Sequence, residues 1–266
     1  MINKPVMGVA VAVVVVAAGT WYYLQSRHAA LLRAPVAAQQ PAPAEPPAEP
    51  AIQHPLPGGQ GDSASKVPLP TLADSDAALS DVLRQAAGAA AVKDYLLPGN
   101  IIRHLVVTID NLPRQKVAVE KRPTGPVAGS FVADGDEMHA TLDPKNFARY
   151  QPMVAVVSKL DMQQLTAVYV RFYPLFQQAY QDLGYPNGYF NDRLVQVIDN
   201  LLATPQPAGP IELVRPNVMY TFADPALESR PAGQKLLIRM GPDNAAAIKT
   251  KLMELRAAIT AAPPKR

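Results

Sequence analysis

The chain has 266 residues, 18% of them charged and 28 of them proline, and a formal charge of only +3. That length allows one ordinary domain with appendages, and the proline surplus points to a long extended stretch. No block of like charges occurs, which argues against a nucleic-acid footprint, and the lack of cysteine excludes disulfides and thiolate metal sites.

A short tail, residues 1–5, precedes an uncharged run from Val6 to Leu24, VMGVAVAVVVVAAGTWYYL. At about 1.5 Å per residue such a run just crosses a hydrocarbon layer of roughly 30 Å. Trp21, Tyr22 and Tyr23 close it with rings suited to the lipid–water boundary. A cleaved signal peptide is the rival reading. It would have a shorter apolar core and a prompt small-residue cleavage site, whereas Val36-Ala37-Ala38 lies well past the run. The expectation is therefore a single-pass, retained signal-anchor helix over residues 6–24. Lys4 on one side and Arg27 and Arg33 on the other hardly set its direction. A short tail, an anchor and a tether suit a body held outside the cytoplasm.

Residues 25–67 are nearly all Ala, Pro, Gln, Glu, Gly and Ser, too poor in large apolar groups to offset the entropy of ordering. They read as a disordered, proline-rich linker with polyproline-II segments, a passive spacer rather than a ligand for a proline-reading groove. His28 and His54 fall here, and lone linker histidines are poor candidates for metal or catalysis.

The globular body is expected over 68–262, with 263–266 as a tail. Asp74 or Ser75 opens a helix carrying Leu79, Val82 and Leu83, and Gly88 ends it. Pro98-Gly99-Asn100 opens a second, with Ile102, Leu105, Val106, Ile109 and Leu112 on one stripe and Arg103 and Asp110 off it. The interval 113–142 offers KVAVE, GSFVA and EMHATL as short strands, with Asp134-Gly135 as a two-residue turn between the last two. Asp143-Pro144 starts another helix. Asp161 with Gln164 imitates a capping box before a broad apolar face: Leu165, Val168, Tyr169, Phe172, Leu175, Phe176, Ala179 and Leu183. Gln163, Gln164, Arg171, Gln177, Gln178 and Gln181 lie opposite, and Pro174 predicts a kink or break.

Gly184, Pro186 and Asn187-Gly188 turn the chain, and a helix from near Asn191 buries Leu194, Val197, Ile198, Leu201 and Leu202. So short a turn predicts antiparallel neighbours. IELVR and NVMYTFA read as a strand pair around Pro216, and Asp224-Pro225 starts another short helix that Gln234–Met240 continues and Gly241-Pro242 breaks. A last helix carries Ile248, Leu252, Leu255 and Ile259. The fold class is mainly α, one compact helical domain with minor short β hairpins.

The stretches YPLFQQAYQDLGYPNGYFNDRLVQVIDNLL, LLPGNIIRHLVVTIDNLPR and YTFADPALESRPAGQKLLIRMGPDNA resemble the bacterial family filed as domain of unknown function 3014. The resemblance spans roughly residues 70–260 and implies the same anchor, tether and domain. It implies no activity, cofactor or catalytic residue.

The usual catalytic templates are missing: no GxSxG, no HExxH, no phosphate-binding glycine loop, no calcium loop. Ser130, His104 and His139 lack partners at a defined spacing and read as structural. Asp182, Asp192 and Asp199 with Arg193 and Tyr185 form the most enzyme-like group, since two carboxylates across the 184–190 turn would suit glycoside chemistry. Helix-end roles explain them as well. No catalytic, cofactor-binding or metal residue is assigned. Tyr169, Phe172 and Phe176 read as core. The candidate binding surface is Tyr185, Asn187, Tyr189, Asp192 and Arg193, where rings either staple the turn or line a shallow groove. The expected function is a membrane-anchored, non-enzymatic protein of the bacterial inner membrane. Its periplasmic domain binds an envelope protein partner, without cofactor or nucleic acid. A peptidoglycan- or carbohydrate-binding or -cleaving module is the alternative, and a cytoplasmic adaptor a third.

Overall fold

The structure is a computed structural model and describes residues 51–57, 68–136 and 139–261. These fall within one compact unit, Glu49–Arg266. The predicted span 6–24 and most of the predicted linker lie outside the described residues. No helix among the described residues is long and apolar enough to cross a membrane.

Nine α-helices and four short strands make up the described body, so it is mainly helical with a small antiparallel sheet. Helix α1 (Ser75–Ala87) is entered through a 3₁₀ turn, Leu72–Asp74. The predicted cap is displaced by one short turn: Thr71 Oγ1 accepts the Asp74 amide, and Asp74 instead receives the Thr71 hydroxyl at 2.7 Å. Gly88, at φ +90°, ends α1 as expected, but the chain re-enters a helix at once, α2 (Ala89–Tyr95). Helix α3 (Ile101–Asn111) starts after Asn100, which is held at φ +53°. Its exposed first amides are capped from outside: the Asp76 carboxylate of α1 accepts from Asn100 and Ile101 at 2.6 and 2.8 Å. A carboxylate at a helix N-terminus both fills orphan donors and complements the dipole.

Helix α4 (Lys145–Lys159) is capped by Asp143, which accepts the Lys145 amide at 2.8 Å. Asp161 caps α5 (Met162–Asp182) by accepting the amides of Gln163 and Gln164. The break expected at Pro174 does not occur, and α5 runs through it unbroken. Pro174 is solvent-exposed, so the carbonyl it leaves without a helical donor lies on the wet side. Helix α6 (Phe190–Leu202) follows the turn. The backbones of α5 and α6 approach over only a short stretch, and α9 packs against both. The remaining helices are α7 (Pro225–Glu228), capped by Asp224, α8 (Ala232–Met240) and α9 (Pro242–Thr260).

The β structure differs from the predicted hairpins. KVAVE forms no strand, and Val119–Lys121 is a 3₁₀ turn. Strand β1 (Ala133–Asp134) pairs with β2 (Ala140–Leu142) in the register Ala133↔Leu142, so Asp134 belongs to the strand and the turn is longer than two residues. Gly135 is required there: at φ +101° a Cβ would sit 2.2 Å from the His139 carbonyl oxygen. Strands β3 (Glu212–Val214) and β4 (Thr221–Phe222) form the second hairpin, and Ala140↔Leu213 joins the two into one sheet ordered β1-β2-β3-β4.

Three packed clusters result. The largest gathers α1, α3, α5, α6 and the end of α9 around Phe172, Tyr173, Phe176 and Phe190. A second lies between α4, α6, α8 and α9. The third packs Ile238 of α8 on the sheet through Leu142, Leu213 and Phe222. Asp76→Ala should remove both capping acceptors of α3 and lower stability by about 1–2 kcal/mol in urea denaturation, with Asp76→Asn recovering part of the loss.

Candidate functional site

The α5–α6 turn is built from rings. Tyr180 stacks on Tyr185 at 4.6 Å between centroids, Phe176 stacks on Phe190 at 5.8 Å, and Tyr173 meets Tyr189 at 5.5 Å. Gly188 lets the turn close, since a Cβ would stand 2.8 Å from the Tyr180 ring. Gln177, expected on the outer face, turns inward. Its amide donates to the Gly188 carbonyl at 2.6 Å, while its oxygen accepts from the Phe190 amide and the Tyr173 hydroxyl.

The five predicted surface residues divide into two pairs and the lone Asn187. Tyr185 and Arg193 face inward to Asp110, which sequence pattern set off the apolar stripe but which is only 2% exposed. Arg193 donates Nε to the Asp110 carboxylate at 2.9 Å and Nη2 to its carbonyl at 2.7 Å. Arg114 reaches the same carboxylate at 2.6 Å, and the Tyr185 hydroxyl bridges Arg114 and Asp110. This network ties α3 to α6 and leaves those two side chains little freedom to meet a partner. Asn187 is exposed on the turn.

Tyr189 and Asp192 do something else: they hold residues 51–57, Ala-Ile-Gln-His-Pro-Leu-Pro. Composition assigns this segment to the disordered linker, and the structure instead lays it on the body. Asp192, in the first turn of α6, accepts the Gln53 amide at 3.0 Å on one carboxylate oxygen and the His54 amide at 2.6 Å on the other. The Tyr189 hydroxyl accepts the Leu56 amide at 3.3 Å, and Asn191 donates to the His54 carbonyl at 2.8 Å. Leu56 is 1% exposed and belongs to the main core cluster. Ile52, Gln53 and Pro55 face solvent. The seat thus reads four backbone groups and one side chain.

Asn191 is fully buried and completes the seat. Its oxygen accepts the Tyr169 hydroxyl at 3.1 Å, and its amide nitrogen serves Ile259 at the end of α9 as well as His54. Sequence pattern assigned it no role, although a signal was present: positions 191, 194, 195 and 198 share one helical face, so a polar side chain there needs buried partners.

Residues 51–57, the strap, are held in a shallow balance. Two charge-assisted amide bonds at about 1.5–3 kcal/mol each, two neutral ones at about 1 each and one buried leucine at about 2–3 favour docking. Ordering the four residues 53–56 costs about 1–2 kcal/mol apiece. The two sides agree to within a few kcal/mol.

The remaining carboxylates of the enzyme-like group are spoken for separately. Asp182 pairs with Arg103 at 2.9 Å. Asp199 takes two bonds from Arg256, and these hold its carboxyl below the ordinary range. His104 is half-buried with Nδ1 unpartnered, and His139 is exposed beside Asp136. Among the described residues no group of three or more His, Asp and Glu could hold a metal ion. A separate cleft of about 560 Å³ is walled by Leu142, Phe147, Pro205, Ile211 and Leu237, with Lys249 its cation. That cation is already bonded to the Thr204 carbonyl at 2.6 Å.

Burial pushes the hydroxyls of Tyr169, Tyr173 and Tyr180 above the ordinary value of 10.0, and for Tyr173 the neighbouring Tyr189 adds to the effect. The folded state therefore keeps protons that the unfolded chain loses, and stability should fall as pH climbs above about 10. Spectrophotometric titration should show Tyr169 and Tyr173 ionising only as the fold is lost, with Tyr180 ionising above the ordinary tyrosine range. Asp110→Ala should cost about 3 kcal/mol or more in denaturant melts, because it strands the Arg193 charge, while Asp110→Asn should cost less.

A family model described as "Protein of unknown function (DUF3014)" matches residues 101–256, and the chain belongs to that family. The matched span runs from α3 into α9 and leaves the strap and α1 outside it. No curated protein and no solved structure matches the chain.

Proposed function

We propose that this member of the DUF3014 family is a membrane-anchored, non-enzymatic envelope protein whose helical domain binds a protein partner. In this reading residues 6–24 span the bacterial inner membrane once and the globular domain stands in the periplasm. The observation that carries the reading is the occupied seat on α6: a surface that already accepts a short, bent peptide segment through Tyr189, Asn191, Asp192 and a leucine pocket. Peptide recognition commonly combines backbone hydrogen bonds with one or two side-chain pockets. The uncharged run 6–24 with its terminal rings supports the anchor. The proline-rich stretch after it supports a tether that gives the domain reach.

A C-terminal phosphatase fusion should be active and a C-terminal fluorescent-protein fusion dark; the reverse pattern would move the domain to the cytoplasm. Full-length protein cross-linked in cells and purified in detergent should recover the same envelope protein reproducibly. The double variant Tyr189→Ala/Asp192→Ala should reduce that recovery about tenfold while keeping a cooperative melt. Undiminished recovery would place the interface elsewhere, and absence of any reproducible partner would end the reading.

A further inference from the structure

We infer that the seat on α6 is an exchangeable docking site for a short peptide with a leucine flanked by prolines, and that residues 51–57 are its resident ligand, displaced when a partner supplies such a segment in trans. This deepens the partner-binding reading above and rests on it.

The argument lies in what the seat demands. It takes the amides of residues 53, 54 and 56 and the carbonyl of residue 54. It asks for nothing at 55 and 57, the two positions where the strap carries proline and has no amide to give. Proline there costs no hydrogen bond and restricts φ to about −65°, so the segment arrives partly ordered. The seat therefore accommodates a Pro-Leu-Pro core without loss of a hydrogen bond. Only Leu56 enters a pocket, and its immediate neighbours outside face solvent or are half-buried. Nothing but the leucine and the amide spacing distinguishes this strap from a segment of another chain.

Exchange also requires that the resident be removable. The strap reaches α1 through fewer than twenty residues, so it competes from an effective concentration on the order of millimolar. An incoming peptide then shows an apparent affinity lowered by the fraction of seats that are empty. Releasing the strap should raise that affinity.

The chain has no cysteine, so Ile52→Cys gives a single labelling point on the exposed side of the strap. Full-length protein in nanodiscs, spin-labelled there, should show an immobilised label that excess peptide AIQHPLP converts saturably to a mobile one. A peptide with serine in place of the leucine should have no effect. In unlabelled protein, fluorescent AIQHPLP should bind His54→Pro, which removes one amide to Asp192, and Leu56→Ser at least about tenfold more tightly than it binds the parent chain. Adding Asp192→Ala should abolish that gain.

Variants with intact cooperative melts that bind the peptide no better than the parent would overturn the exchange, as would equal displacement by the serine peptide. A label already mobile without peptide would show that the strap is not resident. Peptide entry combined with envelope capture that ignores the seat would uphold this site and sink the partner reading instead. Capture through the seat without peptide entry would do the opposite.

Discussion

One buried carboxamide sets the geometry around which the described domain closes. Asn191 stands at the start of α6 with no exposure, yet its oxygen and its amide nitrogen all find partners: Tyr169 on α5, Ile259 at the end of α9 and His54 on the strap. An unsatisfied buried amide costs more than a satisfied one gains, so this side chain penalises any arrangement in which one of the three neighbours is missing. It converts a nonspecific collapse of rings into a single registration of helices. The α5–α6 backbones approach over only a short stretch, and rings with Asn191 supply the specificity that close helix–helix packing provides elsewhere.

Asp110, on α3, performs the matching task beside the first turn of α6. Its carboxylate is nearly inaccessible and is surrounded by Arg193, Arg114 and the Tyr185 hydroxyl. Burying charges is expensive, and such a network adds little net stability over an apolar core. What it does is fix α3 against α6, and with them the position of Asp192 one residue before Arg193. The acceptor for the strap is thus aimed by a charge network on one side and by Asn191 on the other.

Periodicity and turn chemistry make most helices legible, because those signals are local. Asp161, Asp224, Gly88 and Gly241 act at helix ends as their residue types require. The failures share a different cause. Helix α2 is missed because Gly88 ends one helix and begins another, and no local rule distinguishes the two. KVAVE has strand composition but no neighbour to pair with, and strand identity depends on such long-range partners. Within the site, the turn between α5 and α6 is visible as a crowded stretch, and Tyr189 and Asp192 stand among its candidates. Tyr185 and Arg193 are indistinguishable from them by type, since only the buried carboxylate of Asp110, dozens of residues away, claims those two. The strap is the deepest miss. Composition averages over the linker, and within that average a single leucine between two prolines carries no weight. Its importance arises only from the pocket it enters.

A seat that binds backbone is permissive by construction. Hydrogen bonds to amides 53, 54 and 56 are available from any non-proline residue, and one aliphatic pocket discriminates among side chains by only about 1–3 kcal/mol. Selectivity for a particular segment must then come from proximity. A segment attached to the same chain has proximity built in, and one presented in trans obtains it by being concentrated beside the domain. The balance of the strap therefore matters more than its individual bonds: a deeper pocket or a second buried side chain would hold the resident segment more firmly, and a shallower one less firmly. The alternation of prolines with a single leucine keeps the ordering cost low while restricting the apolar contribution to one side chain, and that combination is what the proposed exchange requires.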